Sequence, residues 1–235
     1  MTIIDTRTIE NFLTDDEIAE IENMHSQGKT TLLIDNVKKP PIESLDRTAN
    51  YWHFDFYCKY SENGRRIQEI LLPKLQEHFH KDIYVDDCHI LESFYPYEIH
   101  TDAVDNGKDY TMQAINEYTS AWTFIIPLDN YNSNTIIFDQ ESLDIKGPTR
   151  WIEDKNPPVL NAIDEDTYNK YLSHAVNPYQ YKYLSIEEIF PWKKGSLSAT
   201  SRGKFHCSDY FLGNGITEKR AIVMWTTVPD FRNPK

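Results

Sequence analysis

From residue 83 onward the chain breaks into short apolar runs, and that punctuation limits the folds open to it. The runs are IYVDDCHILESFYPYEIH (83–100), SAWTFIIPLD (120–129), NTIIFDQ (134–140), GSLSAT (195–200) and RAIVMWTTV (220–228). They are rich in β-branched and aromatic residues, and Asn, Asp, Gly and Pro separate them, so each reads as a strand. Several hold apolar residues at consecutive positions, as strands do when both faces are covered. A set of short strands covered on both sides fits a sandwich or a closed barrel, with antiparallel neighbours.

The first 84 residues have a different period. In FLTDDEIAEIENMHSQG (12–28), Thr14 and Glu17 have capping-box spacing, and Leu13 and Ile18 the spacing of a hydrophobic staple. Ile18, Ile21 and Met24 then recur at helical intervals up to Gly28. ENGRRIQEILLPKLQEHF (62–79) places Ile67, Ile70, Leu71 and Leu75 on one stripe, and Pro73 is expected to kink or divide that helix. The chain therefore reads as one domain, mainly β with flanking α. Residues 1–84 form a helical flank, and residues 85–235 a jelly-roll core interrupted by an insertion at about 139–190. The insertion holds GPTR, KNPP, a helix near DEDTYNKYLSHA and a second capping-box pattern at Ser185 and Glu188. Its tyrosines (Tyr168, Tyr171, Tyr179, Tyr181 and Tyr183) either line a substrate cleft or pack the insertion on the barrel.

Charge and cysteine content narrow the function. With 24 basic against 37 acidic residues the formal net charge is −13, a field that repels a phosphate backbone and disfavours nucleic acid as a partner. No apolar run reaches the roughly 18 residues of a membrane span, and the start does not have the form of a signal peptide. Cys58, Cys88 and Cys207 are odd in number, without C-x-x-C spacing, which argues against a disulfide framework or a thiolate zinc site. The expectation is a soluble, cytoplasmic protein of unassigned oligomeric state.

The chemistry rests on histidines. FYPYEIHTDA places His100 and Asp102 two apart, on one face of a strand, where both can reach one ion. A third ligand must come from a distant strand, and two His with one carboxylate form the facial triad of non-haem Fe(II). His206, in GKFHCSDYF beside Ser208 and Asp209, is the natural third member. His174 competes but sits in the insertion. His25, His78 and His80 lie in the flank, and the second H-x-D, His53 and Asp55, reads as a structural strand. Finally, EKRAIVMW puts Lys219 and Arg220 at the head of the last strand, where a cation can form a charge-assisted contact with a carboxylate.

This order of motifs resembles the 2-oxoglutarate- and Fe(II)-dependent dioxygenases, in the prolyl-hydroxylase-like and phytanoyl-CoA-hydroxylase-like branch, over about residues 85–228. The resemblance implies a double-stranded β-helix, a cupin-like jelly roll. It also implies iron on His100, Asp102 and His206, and 2-oxoglutarate anchored by Lys219 or Arg220, with Tyr95 as a further contact. O2 would be consumed, succinate and CO2 released, and a C–H bond of a small molecule or protein side chain hydroxylated. Lys219, six positions before Trp225, is slightly favoured because Ala221 and Val223 on its face leave room for a ligand, although Arg220 suits bidentate binding better. The alternatives are a cupin-like metalloprotein without 2-oxoglutarate and a non-catalytic jelly-roll binding module.

Overall fold

A computed structural model of the chain describes residues 6–27, 32–34, 37–39, 51–53, 62–102, 122–141, 160–175 and 179–227. Two antiparallel sheets face each other. The larger has eight strands, taken here in chain order: β1 (Arg7–Ile9), β2 (Leu32–Ile34), β3 (Val37–Lys39), β4 (Tyr51–His53), β5 (Tyr84–Ser93), β6 (Trp122–Pro127), β9 (Leu197–Ser201) and β11 (Lys219–Thr227). Their spatial order is β1-β9-β6-β11-β5-β4-β2-β3. The smaller sheet holds β7 (Asn134–Glu141), β8 (Ile186–Pro191) and β10 (Lys204–Ser208), in the order β10-β7-β8. This is the expected jelly-roll core. It differs from the expectation at the N-terminal side, where β1 to β4 add strands to the main sheet and the flank is only partly helical. Runs of three residues are too short for a period to register, so the sequence hides them.

Helix α1 (Asp15–Gln27) begins as its sequence dictates. The Thr14 amide donates to Glu17 Oε2 at 2.8 Å while the Glu17 amide donates back to Thr14 Oγ1 at 3.3 Å. Helix α2 (Glu62–His78) runs through Pro73 undivided. Pro73 lies on the exposed side, where water can serve the carbonyl that loses its helical donor. Ile67, Leu71 and Leu75 face the other way and are fully buried. They meet Ile18 and Ile21 of α1 and the outward side chains of the main sheet (Cys88, Ile90, Phe124, Ile126, Ile222 and Met224) in the largest apolar cluster. Full burial of each such side chain is worth about 2 kcal/mol.

Gly195, just before β9, locks this layer to the barrel. Its φ is +69°, and a Cβ there would lie 2.6 Å from the Leu13 carbonyl oxygen. Gly195 also donates to the Pro127 carbonyl and accepts from the Leu13 amide. Only glycine tolerates both the backbone angle and the close approach.

Beyond β7 the described part of the insertion consists of α3 (Glu165–Tyr171), capped by Asp164, and a 3-10 turn at Gln180–Tyr183. Leu172, Tyr181 and Leu184 pack on Phe138, Phe205 and Cys207, on the side of the small sheet away from the barrel interior. Tyr168 and Tyr171 lie partly buried against that cluster, while Tyr179 and Tyr183 are exposed. None of the five tyrosines lines the cavity described below, so packing on the barrel is the role the structure gives to three of them. The segment after Ser185 forms β8 rather than the helix its capping-box pattern suggests. Ser185 is engaged elsewhere: its amide donates to Gln140 Oε1 at 2.9 Å, and Gln140 Nε2 donates to its hydroxyl at 3.0 Å.

Candidate metal centre

His100 and His206 come together through the backbone. Each donates its amide to the other's carbonyl, at 3.0 and 2.9 Å, forming a single bridge that joins the end of the β5 loop to β10. The same loop is pinned a second time, the Asp102 amide donating to the Arg202 carbonyl at 2.9 Å and Arg202 Nε to the Asp102 carbonyl at 3.2 Å. Ligand positions far apart in sequence are thus fixed by main-chain bonds.

The side chains are oriented for coordination. His100 Nδ1 lies 2.7 Å from the Glu98 carbonyl and His206 Nδ1 lies 3.1 Å from the Lys204 carbonyl. A carbonyl can only accept, so both Nδ1 atoms carry a proton, and Nε2 is the atom through which each ring, when neutral, presents its lone pair. These lone pairs converge on Asp102: His206 Nε2 is 3.3 Å from Oδ2 and His100 Nε2 is 3.9 Å from Oδ1. One donor atom from each residue lies within 4.8 Å of the others. Thr123, on the inner face of β6, donates to Asp102 Oδ2 at 2.8 Å.

Electrostatics favour a metal over protons here. Burial, reinforced by the neighbouring His206, pushes His100 down to about 4, so it is neutral at pH 7. Burial alone would raise the Asp102 carboxyl, but the two imidazoles and the hydrogen bond from Thr123 outweigh it and hold the group below its usual range. Two imidazoles and one ionised carboxylate on one side of a point are the donor set of a facial triad, which leaves the opposite side open. His174, the sequence competitor, stacks on Tyr210 instead and belongs to no metal-binding group among the described residues. The strand reading of His53 is correct for β4, and Asp55 lies outside the described residues.

The triad opens into a cavity that communicates with solvent, whose lining is mostly apolar and includes Leu91, Ile125, Val223 and Trp192. Lys219 lines the same cavity. Its side chain is only 2 % exposed and lies over Trp192, with Nζ 3.8 Å from the ring centre, and near Phe211 at 4.7 Å. Nζ donates to Ser133 Oγ at 2.8 Å and to Ser208 Oγ at 2.7 Å, leaving one of its three protons for another acceptor. Burial lowers its pKa to about 7. Arg220, one position on, points the other way and pairs with Glu22 of α1 at 3.0 Å. Alternation along β11 therefore separates two cations that the sequence could only rank.

Tyr95 stands outside the cavity and is 41 % exposed, whereas Tyr97 lines it. Strand β5 ends at Ser93, so alternation could not carry the sequence argument that far. Ser133, Thr135 and Trp192 were not among the sequence candidates. Trp192 Nε1 donates to Thr135 Oγ1 at 2.8 Å, which turns the threonine's own proton away from the indole. Only the fold brings these residues to Lys219.

No protein-family model matches the chain, and no curated protein matches it either. Solved structures do. The 2-oxoglutarate-dependent carbocyclase SnoK of nogalamycin biosynthesis superposes with a TM-score of 0.56 at 12% identity, over 95% of this chain and 80% of its own. An oxidoreductase of the 2OG-Fe(II) oxygenase family from Burkholderia pseudomallei gives 0.54 at 9% identity, over 98% and 88%. HygX from Streptomyces hygroscopicus, solved with nickel and 2-oxoglutarate bound, gives 0.52 at 12% identity, over 96% and 84%. The chain has the 2-oxoglutarate oxygenase fold. At these identities the likeness is one of architecture, and any chemistry lies in the residues of the site. Among the described residues, no helix is long and apolar enough to cross a membrane.

Proposed function

We propose that the protein is an Fe(II)- and 2-oxoglutarate-dependent oxygenase that hydroxylates a C–H bond of a small molecule. One observation carries the reading: a two-histidine, one-carboxylate cluster and a buried lysine line the same cavity. A dicarboxylate with a 2-keto acid at one end matches that pair of features.

Iron, when bound, supplies the oxygen chemistry, in which 2-oxoglutarate and O2 become succinate and CO2 as one oxygen atom enters the substrate. The protein's share is binding and orientation. His100 and His206 offer Nε2 lone pairs because their Nδ1 protons are committed to Glu98 and Lys204. Asp102 contributes a carboxylate held in place by Thr123. Lys219 receives the distal carboxylate of 2-oxoglutarate through its remaining proton, beside the hydroxyls of Ser208 and Thr135. Trp192, Leu91 and Val223 keep water from that contact, and a charge-assisted bond in a dry site is stronger for it. Arg220 has no part in this, and Tyr97 takes the place that the sequence argument gave to Tyr95. A small-molecule substrate rather than a protein side chain is supported by HygX, a structural neighbour also solved with hygromycin B bound. SnoK, a carbocyclase, shows that the same fold also hosts outcomes other than hydroxylation.

The test is spectroscopic. Fe(II) and then 2-oxoglutarate, added under nitrogen, should give a weak visible charge-transfer band that His206→Ala abolishes together with iron binding. Iron binding without the band would favour a cupin-like metalloprotein, and absence of both a binding module.

A further inference from the structure

The cavity lysine does not end at its two serines. Ser133 Oγ, which accepts from Lys219 Nζ, donates in turn to Asp209 Oδ1 at 2.8 Å. Asp209 is 1 % exposed, and its other oxygen accepts from the Asn134 amide and from Asn134 Nδ2, each at 2.8 Å. Every bond in this chain runs from ammonium to hydroxyl to carboxylate. A hydroxyl so placed polarises along both bonds and transmits charge that direct contact would otherwise consume. A direct Lys–Asp pair would offset the lysine's charge at contact distance and weaken its pull on a ligand. One hydroxyl between them leaves the third ammonium proton available.

We propose that Asp209, acting through Ser133, is the counter-charge that keeps Lys219 protonated in its apolar surroundings, and so is a positioning residue for the distal carboxylate of 2-oxoglutarate. The inference rests on the proposed role of Lys219. Burial is the main force opposing protonation of Lys219, and Asp209 is the main one favouring it. The other titratable groups near enough to influence it, or be influenced by it, are Cys207 of β10 and His174 after α3. Burial drives the Cys207 thiol pKa up and that of the His174 ring down, which keeps both neutral. Asp209 is thus the anion that faces the lysine among the described residues.

The competing role for Asp209 is purely mechanical, bracing the start of β7 against the end of β10 through Asn134. Two measurements on the full chain separate the roles. In the first, the protein carries 13C at the lysine ε-carbons and is titrated by NMR, with the Lys219 signal assigned by its loss in Lys219→Ala. In the second, 2-oxoglutarate is titrated calorimetrically into Fe(II)-loaded protein under nitrogen. In Asp209→Asn the Lys219 midpoint should fall by about one pH unit, and the Kd for 2-oxoglutarate should rise about tenfold near pH 8 but only about twofold near pH 6. Ser133→Ala, which leaves the Asn134 brace intact, should shift both in the same direction by less. An unmoved midpoint in both variants, or a Kd change equal at the two pH values, would overturn the proposal. Lys219→Ala with unaltered Kd would instead remove the anchor on which it rests, while the midpoints still judge the relay.

Discussion

On β11, Ile222 and Met224 are sealed against α1 and α2 in the apolar layer, while Lys219, Ala221 and Val223, one position out of phase, face the interior. The same division runs through β6, with Phe124 and Ile126 outward and Thr123 and Ile125 inward, and through β5, with Cys88 and Ile90 outward and Leu91 and Ser93 inward. One face needs volume and little else, and many apolar side chains could supply it. The other needs particular atoms at particular points. Because the strand period is two, a slip of a single residue would exchange the faces and place Arg220 where Lys219 stands. The outer core is what pins the register, so the dry face holds the reactive one in phase.

Substitutions on either side of this divide should have separable effects. Lys219→Ala should weaken 2-oxoglutarate binding on the order of a hundredfold, whereas Arg220→Ala, which loses a partly exposed pair with Glu22, should change it less than about threefold. Calorimetry under nitrogen reads both, and equal, mild effects would erase the distinction between the faces. Ile222→Ala on the outer face should cost about 3 kcal/mol of stability in denaturant unfolding, with iron affinity in the folded fraction unchanged. A large loss of iron affinity there would mean that the layers are coupled more tightly than packing alone explains. An effect smaller than that of Lys219→Ala is expected from Thr123→Val, which keeps the shape and removes the hydroxyl bond to Asp102. Iron affinity should fall about tenfold and stability hardly move.

The sequence carried the outer face well because helical and strand periods are statements about burial. The capping box at Thr14 and the stripe Ile67, Leu71, Leu75 are local, and local rules sufficed. The cluster of His100, Asp102 and His206 was legible for a different reason, since few residue types bind metal and strand spacing limits their partners. What escaped depends on partners distant in sequence. Ser185 looked like a helix cap until Gln140 claimed it, and the choice between Lys219 and Arg220 required knowing which face of β11 turns inward. Likewise Tyr95 and Tyr97 flank Pro96 just beyond the end of β5, where alternation no longer assigns a face. Ser133 and Asp209 have no local signature at all, since their meaning comes from each other and from Lys219.

The backbone bridge between His100 and His206 has a kinetic consequence. Its two halves are about a hundred residues apart along the chain, so closing it carries the entropic cost of a very long loop, to be met before the bridge returns any stabilisation. The donor set is complete only where β10 has reached the end of the β5 loop, so iron capture depends on those two parts of the fold being formed together. Capture and global unfolding become linked: ligand that binds only the native state raises the free energy of unfolding with its concentration. It should also slow escape from the native state wherever the bridge opens before the unfolding transition state is reached.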